Sequence, residues 1–180
     1  MSIYSNLAGS ATEGAAQYIE AVLHLLGDRD PRSILETTVS WCAECTDGLS
    51  QEQLAATEAP GKWSIAAVLQ HLADSELVWA YRLRRVLAED RPVLKGYDQD
   101  EWANRLGYAD AERAAALAVF SALRVANLKL LDRASSEDLD RVGVHAERGE
   151  EPVRHMIRLY AGHDLVHRRQ LQRLLDRITE

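Results

Sequence analysis

Cysteine is scarce in this chain of 180 residues, which contains only Cys42 and Cys45. The two form one C-x-x-C motif, a spacing found in redox pairs and in halves of zinc sites. The motif lies midway along a predicted helix, with no second C-x-x-C in the sequence and no strand signal before it. We therefore interpret both as ordinary buried or half-buried thiols, since a free cysteine behaves as a small hydrophobic side chain.

Basic residues are too few to indicate a nucleic-acid partner. The chain has 21 Lys and Arg against 28 Asp and Glu, and its formal net charge is -7. Binding to phosphates requires a basic surface, which this balance does not favour. The sequence also lacks a glycine-rich phosphate loop, a dinucleotide-binding motif and a nucleophilic serine or cysteine motif. It therefore does not favour the enzyme classes that depend on these motifs.

The sequence shows neither a membrane span nor a leader by its pattern of hydropathy. No stretch approaches the roughly 20 apolar residues that a membrane span needs. The first residues, MSIYSNLAGSATEG, lack the basic and then apolar pattern of a signal peptide. We therefore expect a cytoplasmic protein with no membrane partner.

Strand signals are nearly missing, and helical periodicity takes their place. Apolar stripes predict five helices, at about residues 11–26, 31–47, 64–89, 110–133 and 152–178. Connections of about 16–20 residues between the later helices exceed those of a simple up-and-down bundle. We predict an all-α four-helix bundle with long interhelix connections and an extra short N-terminal helix. The stretch Gly96–Tyr108 is expected to be an aromatic and acidic loop over one end of the bundle.

Two of the six histidines occupy the middle of an apolar stripe on the last predicted helix. His163 and His167 are one turn apart, so their rings lie one above the other on one face. Such an i, i+4 pair is the usual way in which one helix offers two imidazoles to a metal ion. Two neutral imidazoles in a core need partners, and a metal satisfies both. The alternative is that they are core histidines satisfied by other polar groups.

His71 is a third candidate ligand, from another helix. It lies at one edge of the apolar face of the helix at 64–89, so it can point inward and still reach water. Three histidines from two helices make an open site, since a closed structural zinc site uses four protein ligands. We expect this site near the mouth of the bundle rather than at its dry centre. His145, in the loop before the last helix, could reach that mouth and is a candidate catalytic residue, whereas His24 and His155 are interpreted as structural.

Four charged residues near these histidines are further candidates. Glu76 places a carboxylate in an apolar arc, where it is either a structural partner of another group or a catalytic base. Asp74 and Asp164 could accept the second ring N–H of a metal-bound histidine, or be ordinary solvated acids. Arg82 lies within about 20° of His71 around the helix. It is a candidate for binding an anionic substrate, although a solvated salt bridge is the plainer interpretation.

Two motifs resemble one known family. The run GKWSIAAVLQHLADSE (Gly61–Glu76) resembles the central helix of the DinB/YfiT-like superfamily of metal-dependent hydrolases. The run AGHDLVHRRQLQRLL (Ala161–Leu175) resembles the H-x-x-x-H-x-x-Q ending of the same family. The resemblance covers roughly residues 30–178 and is specific for the fold and the metal site, but not for the reaction.

The resemblance implies a four-helix bundle, often a homodimer, with one divalent metal ion such as nickel or zinc. By motif, the ligands are His71, His163 and His167. Gln170 of the same motif is expected to support a ligand without binding the metal itself. Residues 1–29 are then an N-terminal extension helix packed on the bundle, and residues 30–180 are the bundle of a single-domain protein.

The sequence leaves three functions open. Relatives of this fold include bacterial S-transferases that use low-molecular-weight thiols such as bacillithiol or mycothiol. The first function is therefore transfer of such a thiol co-substrate to a small-molecule electrophile. The second is a hydrolase with metal-bound hydroxide as nucleophile and Glu76 or His145 as proton carrier. The third is a non-catalytic dimeric module that binds a metal or a ligand, and we favour the first.

Overall fold

The five long helices of the computed structural model, which describes residues 11–179, lie close to the predicted ones, and three short helices were not predicted. In chain order they are α1 (Ala11–Leu26), α2 (Pro31–Cys45), α3 (Gln51–Leu54), α4 (Ile65–Ala88), α5 (Gln99–Arg105), α6 (Arg113–Arg133), α7 (Ser136–Asp140) and α8 (Val153–Thr179). The part of the predicted N-terminal extension before residue 11 lies outside the described residues.

Four long helices, α2, α4, α6 and α8, form the bundle. Going around it, α2 packs against α6, α6 against α4, α4 against α8, and α8 against α2. This arrangement confirms the all-α four-helix bundle. The helix α1 packs along α8, and the short helices α3, α5 and α7 lie in the long connections.

A small sheet in these connections corrects the expectation that strands are absent. The strand β1 (Val93–Leu94) pairs in parallel with β2 (Val142–His145), and β2 pairs antiparallel with β3 (Gly149–Pro152). Strands of 2 and 4 residues are too short to produce a recognisable alternating pattern. The expected loop at 96–108 is also partly helical, since it contains α5 and leads into a 3-10 turn at Tyr108–Asp110.

Side-chain caps fix where two of the bundle helices begin. Asp30 accepts hydrogen bonds from two backbone N–H groups in the first turn of α2, whose first residue is Pro31. Ser64 accepts a hydrogen bond from the backbone N–H of Ala67 in the first turn of α4. Each cap satisfies N–H groups that have no partner within their helix. The cap at Ser64 places His71 two turns into α4.

The two largest apolar clusters of the interior lie within the bundle, and buried polar groups lie between them. One cluster includes Leu72 and Leu171, and the other includes Trp79 and Met156. The buried polar residues of α4 and α8 at this level are His71, Ser75, Glu76, Asp164 and His167. At the candidate site His71 and His167 are therefore buried, whereas His163 is partly buried. The expectation of a site near the mouth of the bundle stays a prediction. The edge of α4 is not open to water, because the Trp63 ring covers it at 4.7 Å from the His71 ring.

The helix α1 approaches α8 very closely at one glycine. A Cβ added at Gly162 would lie 2.4 Å from Cγ1 of Val22 and 2.6 Å from the carbonyl oxygen of Val22. Val22 packs at this point with Leu25 of α1 and Val166 of α8. Glycine is needed here because any side chain would push the two backbones apart. The contact joins α1 to the part of α8 that carries His163.

Replacing Gly162 with alanine is expected to lower the free energy of unfolding by about 1–3 kcal/mol, the usual cost of overpacking a tight contact. Urea denaturation followed by circular dichroism measures the change. Gly14→Ala in α1 is a matched control, since nothing lies within 4 Å of its added Cβ. The control should be slightly stabilising, because alanine favours helix. An unchanged unfolding free energy for Gly162→Ala would contradict the close approach of α1.

The helix α6 is more apolar than the sequence expectation allowed. By length and composition alone it is long and apolar enough to cross a membrane. The expectation that no stretch approaches a membrane span is therefore wrong for this helix, which is rich in alanine, valine and leucine. Its buried Arg124 and Asn127 donate hydrogen bonds to Glu76 of α4, so this face of α6 packs inside the bundle.

Candidate metal centre

Three histidines from α4 and α8 come together among the buried polar groups. Nε2 of His71 lies 3.2 Å from Nε2 of His163. One ring nitrogen from each of these residues and from His167 lies within 4.8 Å of the other two. The i, i+4 spacing puts His163 and His167 on the same face of α8. The structure thus brings together the three residues that the sequence singled out as ligands.

Burial keeps all three imidazoles neutral. Desolvation lowers the pKa of His71 and of His163 well below the ordinary value, and the neighbouring His167 lowers both further. Desolvation also lowers the pKa of His167 to about 4, although a hydrogen bond with Gln170 opposes the shift. A neutral imidazole has the free lone pair that a metal ligand requires.

The spacing and chemistry of the donors fit a divalent metal ion. Around a tetrahedral ion with metal–nitrogen distances of about 2.0–2.1 Å, two ligand nitrogens are about 3.3 Å apart. The separation between the Nε2 atoms of His71 and His163 is 3.2 Å. Nδ1 of each of these rings is buried without a hydrogen-bond partner among the described protein atoms, and Nε2 is the atom of each ring that faces the other histidine. Three imidazoles suit ions such as zinc and nickel.

Gln170, Trp63 and Ser75 contact the rings of His71 and His167. Oε1 of Gln170 lies 2.9 Å from Nδ1 of His167 and can accept a hydrogen bond from the N–H at that position, which leaves the lone pair of Nε2 free to bind a metal. The Trp63 ring is stacked on the His167 ring with centroids 6.4 Å apart. The Ser75 hydroxyl lies 3.2 Å from Nε2 of His71. Of the candidate supporting residues, Gln170 is the one whose side chain contacts a ligand ring.

Glu76 and Asp164 contact an arginine instead of a histidine ring. Both oxygens of Asp164 accept hydrogen bonds from the guanidinium of Arg124, at 2.7 and 3.1 Å. Glu76 accepts from Arg124 at 2.9 Å and from Asn127 at 2.8 Å. These contacts leave Glu76 as a structural partner, which was one of its two interpretations. Asp164 was expected to accept a hydrogen bond from a histidine ring N–H, and it accepts from Arg124 instead.

Buried charges dominate the electrostatics of this group, which we call the Arg124 network (Glu76, Arg124, Asn127 and Asp164). Burial raises the pKa of Glu76 even though Arg124 opposes the shift. Burial disfavours the charged form of Arg124, but Asp164 and Glu76 outweigh it and raise the pKa of its guanidinium. The network therefore keeps a charged arginine in the interior next to the histidine cluster.

Asp74 and His145 also lie away from the positions expected of them. The carboxylate of Asp74 accepts a hydrogen bond from the hydroxyl of Tyr108 at 2.6 Å instead of one from a histidine ring. His145 belongs to β2 and not to a loop, and its Nδ1 accepts from the backbone N–H of Glu147 at 3.2 Å. Burial lowers the pKa of His145 to about 4, with two nearby arginines adding to the shift. His145 is not part of the three-histidine cluster.

Arg82 lines a cavity together with one of the candidate ligands. Its side chain is buried, at 8% exposed, and it donates a hydrogen bond to the carbonyl oxygen of Lys95. The cavity has a volume of about 90 Å³ and is also lined by His163. A larger cavity of about 590 Å³ is lined by His167 and Gln170. The candidate ligands are therefore reached from two cavities.

Comparison with known proteins places this site in a family. The sequence profile of the DinB superfamily matches residues 35–171, which include all three histidines. The chain belongs to the DinB superfamily. A relative from Oceanobacillus iheyensis is 33% identical over 129 residues, which are 72% of this chain and 74% of that protein. A relative from Halalkalibacterium halodurans is 28% identical over 132 residues, or 73% and 77% of the two chains. The name of each relative refers to a metal-dependent hydrolase and does not state a substrate.

The DinB fold is also seen in the solved structure of YfiT from Bacillus subtilis, described as having an unusual four-helix bundle topology. The two structures superpose with a TM-score of 0.77, covering 83% of this chain and 86% of that one, at 22% sequence identity. These matches confirm the resemblance seen in the two motifs. The helix α1 precedes the residues that match the DinB profile.

Sequence reasoning did not find several residues that support the DinB histidines. Arg124 shares a helix face with Phe120 and Asn127 at spacings of four and three, so the pattern of α6 contained a signal for a buried arginine. Trp63 lies just before α4, where helical periodicity gives no indication of its position. Ser75 is a small polar residue in an apolar helix and has no sequence signal of its own.

The two cysteines of this DinB protein are free thiols on α2. Cys42 is buried and Cys45 is partly buried. Burial raises the pKa of both thiols, and that of Cys45 reaches about 11. The placement agrees with their interpretation as ordinary thiols.

Alkylation of the native protein by iodoacetamide at pH 7.5 is expected to be about 100-fold slower than that of an ordinary exposed thiol, because the thiolate is the reactive form. The rate should rise with pH as Cys45 approaches its pKa of about 11. Mass spectrometry of timed samples measures it, and the same protein in guanidinium chloride is the control for intrinsic reactivity. Rapid labelling of the native protein at neutral pH would contradict this and favour a redox or metal role.

Proposed function

We propose that this DinB protein transfers a small thiol to an electrophile at the three-histidine site. The observation that carries the proposal is the neutral donor set, since no carboxylate of residues 14–179 is hydrogen-bonded to His71, His163 or His167. A divalent ion held by neutral ligands would keep its full positive charge. It would therefore strongly lower the pKa of a thiol that binds to it.

The residues of the chain have binding and positioning roles in this proposal. The larger cavity, about 590 Å³, is within the size range of small-molecule sites and is lined by Trp63, Tyr108 and Lys62. It thus offers aromatic surface and a positive charge beside His167. In the transfer, the thiol loses its proton to solvent and its sulfur forms a bond to the electrophilic carbon. The leaving group departs with the electron pair of the bond that breaks.

Hydrolysis is the second candidate, and the names of the curated relatives favour it. A side chain that carries a proton between water and the leaving group usually assists it. The two residues considered for that role are engaged elsewhere, since Glu76 is held by Arg124 and His145 lies in the sheet. Thiol transfer does not need such a carboxylate base, and we therefore place it first.

A thiol panel tests the proposal. The protein, loaded with zinc or nickel, is mixed with bacillithiol, mycothiol, glutathione or cysteine and with chlorodinitrobenzene as chromogenic electrophile. We expect at least one thiol to give a rate well above that of the His71→Ala variant. No thiol-dependent rate above that variant would overturn thiol transfer. Metal-dependent turnover of esters without any thiol would establish the hydrolase instead.

We also propose that two copies of the chain associate through the outer face of α6. Over its first part this face exposes small or apolar residues, which include Ala115, Ala118, Ala122 and Val125, and the exposed Lys129 follows them one turn later. On the neighbouring α4, Leu77 is 49% exposed and Tyr81 is 63% exposed. An exposed apolar surface of this kind is typical of an interface.

Sedimentation velocity at micromolar concentration tests the homodimer. We expect the unaltered protein to sediment as a dimer and Ala122→Glu to sediment as a monomer, because a carboxylate buried in an apolar interface is costly. Ala16→Glu on the exposed side of α1 is the matched control and should remain dimeric. A monomeric unaltered protein would sink the proposal.

A further inference from the structure

Two cavities reach the candidate ligands, and the smaller one has features of its own. The larger cavity, about 590 Å³, is lined by His167, and the smaller, about 90 Å³, is lined by His163. Gln99 of α5 lines both, so the two cavities adjoin at this side chain. The smaller volume is well below that of a whole small-molecule site and accommodates a group of a few heavy atoms.

The smaller cavity carries one unbalanced positive charge. Its wall includes Arg82 and Arg148. Arg148 is paired with the buried Glu151 through two hydrogen bonds. No carboxylate of residues 14–179 lies within ion-pair distance of Arg82. The nearby His145 adds no charge at neutral pH, because burial lowers its pKa to about 4.

The side chain of Arg82 is largely buried, but the donors that it does not share with protein keep some access to solvent. One hydrogen bond of its guanidinium goes to the carbonyl oxygen of Lys95. A guanidinium has five N–H donors arranged as a fork that matches the two oxygens of a carboxylate. A buried charge without a partner is costly, and buried polar groups in native proteins are nearly always paired. An anionic ligand would supply the missing partner.

The rest of the cavity wall suits such a pairing. Trp79, Met156 and Leu159 provide apolar surface, and a water-poor environment strengthens the attraction between opposite charges. Tyr97 and Ser75 also line this cavity, and their hydroxyl oxygens lie 3.0 Å apart. Ser75 in turn lies beside His71, so the cavity wall and the candidate ligands share a hydrogen-bonded chain.

We propose that the smaller cavity binds a carboxylate group of the substrate through Arg82, next to the candidate ligand His163. This inference rests on the proposed function, because the carboxylate belongs to the electrophile whose reactive carbon lies at the three histidines. The substrate class is then a small organic acid. Glu151 acts as a positioning residue, since it holds Arg148 in the cavity wall and offsets its charge.

Binding of propionate and of its neutral counterpart propionamide tests the subsite without any turnover. Saturation-transfer NMR at constant ionic strength measures both ligands on the full chain. We expect propionate to bind at least about 10-fold more tightly, because charge-assisted hydrogen bonds are about twice as strong as neutral ones. Arg82→Met should remove this preference and Arg82→Lys should keep part of it. Arg154→Met, in an exposed pair with Asp140, is the control and should keep all of it.

The outcomes separate the subsite from the metal and from the reaction. Equal binding of the two ligands by the unaltered protein would overturn the subsite. A preference that persists in Arg82→Met but disappears after chelator treatment would also overturn it, because the carboxylate would then bind at the histidines. If Arg82→Met does not fold, Arg82→Gln replaces it. Failure of thiol transfer with an intact propionate preference would overturn the proposed function and leave the subsite standing.

Discussion

Replacing His71 with alanine is expected to weaken the binding of zinc or nickel by more than about 100-fold. Losing a residue that only orients a metal ligand typically weakens binding by about 10–100-fold, and losing the ligand itself should weaken it more. His163→Ala and His167→Ala should have the same effect. The reason is geometric, since the three ring nitrogens lie within 4.8 Å of one another and each takes one position of a single ion. Competition with a chromophoric chelator measures the affinity, and elemental analysis measures the metal content.

His24→Ala is the matched control for these variants. His24 is an exposed histidine on α1, so its loss should leave metal affinity and content unchanged. His71→Gln, which retains much of the side-chain volume, shows whether the alanine variants act through the ligand or through a cavity. Metal affinity that is equal in the unaltered protein and in all three alanine variants would rule out the site.

Arg124→Met is expected to lower the free energy of unfolding by about 3–5 kcal/mol, the usual result of removing one partner from a buried ion pair. Glu76 and Asp164 are 0% and 1% exposed and would both lose their counterion. The carbonyl oxygen of Leu35 would also lose the hydrogen bond that it accepts from Arg124. Urea denaturation followed by circular dichroism gives the change directly.

Arg154→Met is the surface control, because its pair with Asp140 is exposed and such pairs contribute about 0–1 kcal/mol. The double variant Arg124→Met with Glu76→Gln should be less destabilised than the sum of the two single variants, since the second change removes one of the uncompensated charges. A loss below about 1 kcal/mol in Arg124→Met would show that the Arg124 network contributes little to stability.

The fold and the meeting of the three histidines were accessible from the sequence, because both depend on helical periodicity and on the two motifs shared with the DinB family. His163 and His167 are four residues apart in an apolar stripe, and this spacing alone orients both rings to one side of α8. Helix beginnings were visible as well, since Asp30 with Pro31 and Ser64 are strong capping signals. Local patterns of this kind carry over directly into the structure.

Features that depend on contacts between distant residues could not be obtained in the same way. The partner of Glu76 is Arg124, which is 48 residues away on α6. The local pattern of α4 does not show whether Glu76 pairs with an arginine, faces solvent or acts as a catalytic base. The depth of the site depends on Trp63, which covers an edge of α4 that would otherwise be open. The short sheet that contains His145 also joins segments about 50 residues apart, since Leu94 pairs with His145.

The measurement that tests the central claim most directly is an anomalous difference map from a crystal of the protein loaded with zinc, collected on both sides of the zinc absorption edge. The account predicts one strong peak in each chain, within about 2.0–2.1 Å of a ring nitrogen of His71, of His163 and of His167. A peak at Cys42 and Cys45, or the three rings closed on one another with no peak between them, would contradict it.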